Sequence, residues 1–150
     1  MEARIVSRPA FTVMGLKYHG KNEEGEIPQM WQAFGPRMDG IKNVTDPNVA
    51  YGVCGNMNES TGEFDYVAGF EVSSAQDIPE GMVSWDLPEN TYAVFACTLP
   101  TIHETFQYIY ESWLPQSDYQ RADGPEFELY DKDFDPEDPG SEMYIYIPVK

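Results

Sequence analysis

The predicted elements of this 150-residue chain follow one order twice: strand, helix, strand, strand, at a spacing of about 75 residues. The predicted segments are a strand or strand pair at 4–18, a helix at 27–38, strands at 49–57 and 64–72, strand material at 82–99, a helix at 102–113, and strands at 127–131 and 143–149. Because a chain of this length suits one core, we expect a single domain, 1–150, with halves at about 1–75 and 76–150. A cleft between the halves is the natural ligand site.

Capping and helix-breaking residues indicate where the two helices end. Pro28 suits the first turn of the first helix, and Gly35–Pro36 is expected to end or kink it. Thr101 and Glu104 have the spacing of a capping box at the start of the second helix, and Pro115 is expected to stop it. These signals confine each helix to the middle of its half.

The last two strand segments carry acidic and phenolic side chains on one face and apolar side chains on the other, because strand residues alternate between faces. The polar face holds Glu126, Glu128 and Tyr130 in the first segment and Glu142, Tyr144 and Tyr146 in the second. If the two segments pair as a hairpin, we expect these acids and tyrosines to gather on one surface. Such a surface is chemically suited to a flat organic cation.

Composition argues against several classes of protein. The 41% hydrophobic and 14% aromatic content is too high for a disordered chain. No run approaches the roughly 18 apolar residues of a membrane helix, and Met1–Arg4 lacks the order of a signal peptide, so we expect a cytoplasmic protein without membrane contact. Cys54 and Cys97 lack the spacing of a zinc site or a disulfide framework, which predicts buried, reduced thiols.

Charge argues against nucleic-acid binding. Nine basic and 26 acidic residues give a net charge of −17, which repels polyphosphate and acidic membrane surfaces. The same field concentrates positively charged ligands, although it also serves solubility. We therefore expect no direct contact with DNA or RNA.

An acidic stretch near the carboxyl end imitates a calcium-binding loop. Asp131, Asp133 and Asp135, with Glu142 eleven positions after the first, have the required spacing. The sixth position, which needs glycine, is Pro136. We therefore expect a solvated acidic loop, no metal site and no cofactor.

The sequence resembles the gyrase-inhibitor-like family, which includes the effector-binding domains of AraC-type and MerR-type multidrug regulators and integron cassette proteins. The resemblance is most specific in the runs YIYESWLPQSDY at Tyr108–Tyr119, GPEFELY from Gly124, and EMYIYIPV from Glu142. Two further stretches agree with the family: Ile27–Pro28 with Trp31 and Phe34, and Thr91–Phe95.

The resemblance implies an α+β fold of duplicated βαββ halves, with a curved antiparallel sheet and two helices around a central cleft that binds lipophilic organic cations. It also implies that an acidic residue near the end of the domain counters the ligand's charge. Glu128, in the pattern Pro-x-x-Glu-x-Tyr, matches that residue best, and Glu142 would be its neighbour on the final strand. Glu126 is expected to be exposed. The 150 residues contain no helix-turn-helix segment, so a direct role as a transcription factor is not expected.

Aromatic residues are the candidates to line such a pocket. They are Trp31, Tyr51, Phe70, Trp85, Tyr92, Tyr110, Trp113, Tyr144 and Tyr146. Most are expected to be ordinary core residues. Tyr144 and Tyr146 are favoured as ligand contacts because they share a face with Glu142.

Two other functions stay open from the sequence. Two neighbouring carboxylates, Glu128 and Glu142, could act as a general acid and a general base in hydrolysis of small electrophilic compounds. Alternatively, the acidic surface could bind and inhibit a basic protein partner such as a nucleic-acid enzyme. Binding of a small hydrophobic cation, for sensing or sequestration, is the leading hypothesis.

Overall fold

Eight antiparallel strands form one sheet in the computed structural model, which describes residues 2–150. The strands are β1 Arg4–Arg8, β2 Phe11–Gly20, β3 Ala50–Gly55, β4 Phe64–Val72, β5 Met82–Leu87, β6 Asn90–Thr98, β7 Glu126–Tyr130 and β8 Glu142–Val149. Their order across the sheet is β1-β6-β8-β7-β3-β4-β2-β5. The predicted α+β class and the predicted pairing of the last two strands are confirmed.

The first helix, α1, covers Glu26–Phe34 and begins after Gly25, whose φ of 75° favours glycine. A 3₁₀ segment, Gly35–Gly40, follows directly. The predicted change at Gly35–Pro36 is confirmed, since proline cannot donate the next helical hydrogen bond.

The second helix, α2, covers Ile102–Tyr108 and continues as a π-helical segment, Ile109–Trp113, and a last turn, Leu114–Gln116. The predicted capping box between Thr101 and Glu104 was wrong, because the Thr101 side chain makes no capping hydrogen bond to α2. Thr101 instead forms a capping box with Thr98 at the 3₁₀ turn that precedes α2. Within residues 2–150, no helix has the length and apolar character needed to cross a bilayer.

Each half builds a three-stranded unit and exchanges its remaining strand with the other half. The first unit contains β2, β4 and β3 and is covered by α1. The second unit contains β6, β8 and β7 and is covered by α2. The two units meet where β3 pairs with β7. The first strand of each half crosses over, because β1 pairs with β6 and β5 pairs with β2. Pro9 and Pro88 break the strand material predicted at 4–18 and 82–99 into the two pieces that this exchange requires. The predicted halves are therefore interlocked.

The two helices cover the same face of the sheet, each over its own apolar cluster. The α1 cluster includes Met14, Phe34 and Phe70, and the α2 cluster includes Phe95 and Ile145. The two clusters leave the middle of the helix-covered face, at β3 and β7, between them.

A third cluster, the aromatic cluster, lies on the opposite face and is closed by curvature of the sheet. It contains Phe11, Tyr51, Tyr92, Phe127 and Tyr146. The rings of Phe11 on β2 and Phe127 on β7 are 5.5 Å apart, although three strand spacings would separate them by about 14 Å in a flat sheet. The sheet therefore curls around this cluster.

The aromatic cluster contains a cation from the chain itself. The guanidinium carbon of Arg8 lies 3.7 Å from the Phe11 ring centroid, and its NH2 group donates to the Tyr51 hydroxyl and to Glu71 Oε1, each at 2.8 Å. Since Arg8 ends β1, this contact fastens the exchanged strand to the first unit. Arg8 thus already occupies the cation–π position of the aromatic cluster and pairs with Glu71.

We predict that Arg8→Ala lowers the free energy of unfolding by about 2 kcal/mol, because the cation–π contact and the ion pair are lost and Glu71 keeps only the hydrogen bond from Tyr51. Urea denaturation measures the change. Arg4→Ala is the matched control, since Arg4 is an exposed arginine of the same strand. An equal effect of both substitutions would show that Arg8 has no special role.

Candidate functional site

The central strand β7 directs Glu126, Glu128 and Tyr130 toward the helix-covered face, between the two helices. Opposite Glu128 on β3 is Gly52. A β-carbon at Gly52 would lie 2.0 Å from the Tyr66 hydroxyl and 2.8 Å from Glu128 Oε1. A side chain at this position would displace the Tyr66 hydroxyl and the Glu128 carboxylate, whereas glycine makes room for both.

Two phenols hold one oxygen of Glu128. Its Oε1 accepts hydrogen bonds from the hydroxyls of Tyr66, at 2.8 Å, and Tyr130, at 2.7 Å. The Trp31 indole Nε1 of α1 donates to the Tyr66 hydroxyl at 3.0 Å, and its ring lies edge-on to Tyr130 at 5.5 Å. We call these four residues the Glu128 network.

The Glu128 carboxylate has no positive partner among residues 2–150, since none of their ion pairs includes it. Its second oxygen, Oε2, accepts no hydrogen bond within the same residues, and the protein does not enclose this atom fully. Glu128 as a whole is half-buried. The free oxygen is therefore open to a ligand or to water.

Burial raises the pKa of Glu128 to about 7, and the charge of Glu126 adds to the shift. The hydrogen bonds from Tyr130 and Tyr66 favour the ionised form and oppose the shift only in part. Burial and the Glu128 charge raise the pKa of both tyrosines well above the ordinary value, so both phenols stay protonated donors. The carboxylate thus changes charge near neutral pH.

Glu126, in contrast, has a positive partner. Its Oε1 accepts a hydrogen bond from the Tyr110 hydroxyl at 2.8 Å and lies 3.7 Å from the NH2 group of Arg121. Its side chain is 18% exposed, so the expectation of an exposed Glu126 was wrong. Burial raises the pKa of Glu126, while Tyr110 and Arg121 counteract the shift.

The prediction that both last strands contribute to one polar surface was wrong. Their register pairs Glu128 with Ile145 and Phe127 with Tyr146, so the residues Glu142, Tyr144 and Tyr146 point to the opposite face. A shift of one residue in register exchanges the faces of a strand, and the alternation of either strand alone does not fix that register. Tyr146 stacks on Phe127 at 4.5 Å, and Glu142 is exposed.

Three other predicted aromatic residues also lie away from Glu128. Tyr51, Trp85 and Tyr92 belong to the aromatic cluster or pack against it, on the opposite face. The Tyr51 hydroxyl binds Arg8, and Tyr92 is fully buried. Tyr51 and Tyr92 thus belong to the core of the curled sheet, and the half-buried Trp85 packs against that core.

Trp113 and Phe70 lie on the helix-covered face but serve as packing residues. Trp113 packs edge-on against Phe95 at 5.1 Å, and Phe70 lies 5.7 Å from Phe34. Of the predicted aromatic candidates, Trp31 and Tyr110 alone contact the polar groups on this face of β7 through hydrogen bonds, Tyr110 directly and Trp31 through Tyr66.

Sequence reasoning missed three site residues. They are Tyr66, Gly52 and Arg121. Tyr130 was predicted to share a face with Glu128, because it stands two positions after it, but it was not named among the ligand contacts. The three missed residues join the site only through the pairing of β3 with β4 and β7, or through the segment before β7, which the sequence does not reveal.

Two depressions of the surface, of about 650 and 380 Å³, lie away from these groups. Arg8, Asn90 and Lys150 border the larger, whereas Lys42 and Asp77 border the smaller. Glu128 lines neither of them.

Comparison with known proteins identifies a family that covers nearly the whole chain. Residues 4–149 match the sequence model of Cass2, the integron-associated effector binding protein. The chain is also 45% identical over 152 residues to the transcriptional regulator BrlR of Pseudomonas aeruginosa. That match includes 99% of this chain and 56% of BrlR, so the chain spans about half the length of this relative.

Solved structures agree with the fold. SAV2435, in a structure bound to tetraphenylphosphonium, superposes with a TM-score of 0.75 at 23% identity over 100% of this chain and 94% of that one. The integron cassette protein VCH_CASS2 from the mobile metagenome of Vibrio cholerae gives a TM-score of 0.66 at 22% identity over 99% and 95% of the two chains. These similarities confirm the predicted curved antiparallel sheet with two helices.

We predict that Glu128→Gln stabilises the protein by roughly 2 to 3 kcal/mol at pH 8 and by less than about 1 kcal/mol at pH 5. The folded-state pKa near 7 lies above the ordinary value of 4.5, so the unfolded chain ionises first as the pH rises. Stability contributed by the protonated group is complete below about pH 4.5 and is lost as the pH rises through about 7. Glutamine keeps an oxygen acceptor for both tyrosines without ionising.

Urea unfolding at both pH values measures this difference. Glu142→Gln is the control, because it removes the same charge from an exposed position on the other face. A Glu128→Gln protein no more stable than wild type at pH 8 would contradict the account.

Proposed function

Because this chain belongs to the family of integron-associated effector-binding proteins, we propose that it binds a lipophilic organic cation between its two helices, for sensing or sequestration. The observation that carries the proposal is the half-buried Glu128 carboxylate, which has no positive partner among residues 2–150. Its free oxygen is the group that would meet the ligand's charge.

The free energy for binding comes from a charge that the protein leaves uncompensated. Ionised Glu128 is costly in its partly desolvated position, and a bound cation lowers that cost. The half-buried Trp31 and Tyr130 add aromatic faces, each contributing about 0.5 to 2 kcal/mol when a cation stacks on it, whereas the buried Tyr66 acts through its hydroxyl. Ligand binding and ionisation of Glu128 therefore favour each other.

The surroundings favour a large cation with spread charge over a metal ion. Within residues 2–150, no group of three His, Cys, Asp or Glu side chains could hold a metal. A small hydrated ion would lose its water against aromatic walls without receiving enough oxygen ligands in return. The tetraphenylphosphonium bound to SAV2435 belongs to the chemical class that these walls suit.

We expect a bulky ligand to move side chains as it approaches Glu128, because this residue is half-buried and lines neither surface depression described above. Trp31 is the member of the Glu128 network that α1 supplies, and it touches the carboxylate only through Tyr66. We expect its indole to shift when the ligand enters and to pack against it afterwards.

Other functions find less support. The Glu128 and Glu142 side chains lie on opposite faces of the sheet, so they cannot act on one substrate as the hydrolase hypothesis requires. Inhibition of a nucleic-acid enzyme rests on the net charge of −17 alone.

We predict that the protein binds tetraphenylphosphonium at pH 8, where Glu128 is ionised, and that Glu128→Gln weakens binding by at least about tenfold. The loss corresponds to about 1.4 kcal/mol, a modest value for a charge partly shielded from water. Isothermal titration calorimetry measures both dissociation constants.

The control is Glu142→Gln, which removes one negative charge from the opposite face, as Glu128→Gln does from this one, and is expected to change the affinity by less than about twofold. Equal losses in both variants would mean that overall charge attracts the cation and that Glu128 does not contact it. Absence of binding to the wild-type protein would reject the proposed function.

We predict that the ligand changes intrinsic tryptophan fluorescence mainly through Trp31. Trp31→Phe is expected to remove most of the ligand-induced signal, because Trp31 alone of the three tryptophans belongs to the Glu128 network. Trp85→Phe is the matched control on the opposite face and should keep the signal. A signal that follows Trp85 would place the ligand on the wrong side of the sheet.

A further inference from the structure

Strand β7 carries two neighbouring carboxylates, and only one of them has a basic residue beside it within residues 2–150. Glu126 and Glu128 are two residues apart, so their side chains leave the same face about 6.6 Å apart along the strand. Arg121 lies 3.7 Å from Glu126, whereas Glu128 has no basic partner within residues 2–150. With both carboxylates ionised, the three side chains together carry a single negative charge.

The chain holds the Arg121 guanidinium in place without help from a ligand. Its Nε donates to the Tyr110 hydroxyl at 3.1 Å, and the same hydroxyl donates to Glu126. The guanidinium also donates to the backbone carbonyls of Ala122 and Gly124. An isolated bridge between Arg121 and β8 fixes the backbone of this segment. Contacts within the chain therefore hold the Arg121 positive charge beside Glu126.

Building on the proposed cation site, we propose that Arg121 determines the charge of the ligand. Its guanidinium occupies the position beside Glu126 that a second positive group would need. The site therefore accepts monocations and rejects dications whose charges stand about 6 to 8 Å apart, the spacing of alternate residues on a strand.

The discrimination is electrostatic. A dication that places one charge at Glu128 would bring its second charge against a fixed guanidinium, and repulsion in a partly desolvated site is stronger than in water. Without Arg121, two ionised carboxylates would repel each other, and a dication would relieve that repulsion. A repulsive element of this kind is a common source of specificity.

The test compares benzyltrimethylammonium with para-xylylene-bis(trimethylammonium), its counterpart with two quaternary groups on one ring. Each competes with tetraphenylphosphonium for the wild-type protein, Arg121→Gln and Arg121→Lys at pH 8. We expect wild type to prefer the monocation. Arg121→Gln should shift the ratio of the two dissociation constants by at least about tenfold toward the dication, and Arg121→Lys should keep the wild-type ratio.

The carboxylate beside Arg121 gives a second measurement. The shift produced by Arg121→Gln should disappear in Arg121→Gln/Glu126→Gln, where one carboxylate remains. Glu126→Gln alone leaves the guanidinium uncompensated, so it should weaken monocation binding by at least about threefold without favouring the dication. This variant keeps the proposal testable if Arg121→Gln fails to fold.

Failure of this inference and failure of the proposed function give different results. If tetraphenylphosphonium binds in a Glu128-dependent way but the ratio is the same in wild type and folded Arg121→Gln, the role of Arg121 is overturned and the binding function stands. Unchanged monocation affinity in Glu126→Gln overturns it equally. If wild-type protein binds no tetraphenylphosphonium, the proposed function itself falls.

Discussion

The pairing of β3 with β7 is the contact on which the rest of the structure depends. It joins two similar three-stranded units into one sheet and places Gly52 directly opposite Glu128. Because glycine has no side chain, the hydroxyl of Tyr66 can cross from β4 and bond the carboxylate. The candidate site therefore exists at the junction of the halves and belongs to neither of them alone.

The two faces of the sheet differ in how their charged side chains are balanced. On the curled face, Arg8 supplies a cation to the aromatic cluster, and Glu71 balances it. On the helix-covered face, Arg121 balances Glu126, while Glu128 is left with two phenols that donate hydrogen bonds and carry no charge. Within the described part of the chain, residues 2–150, Glu128 thus has no counter-charge, and this is the physical basis for proposing an external cation.

Much of the fold could be predicted from the sequence because its signals are local. Alternation of apolar residues indicates strands, a period of three to four indicates helices, and Pro9, Pro36 and Pro88 mark breaks. The exchange of β1 and β5 between units could not be predicted, since it depends on which distant strands pair. The structure brings the predicted Glu128, Trp31 and Tyr110 to one face, and their role as ligand contacts stays a prediction. Glu142, Tyr144 and Tyr146 were placed on the wrong face.

The sequence by itself determined the alternation within each strand, the positions of the helices and the excess of acidic side chains. It also determined that Glu128 and Tyr130 share a face, because that follows from a two-residue period. The tertiary structure alone decided which face of β8 joins them, because register depends on the whole set of contacts between strands and turns. It also decided that Arg121 neutralises Glu126 and that Glu128 has no basic partner among residues 2–150, because the position of one charge relative to another is a property of the folded chain.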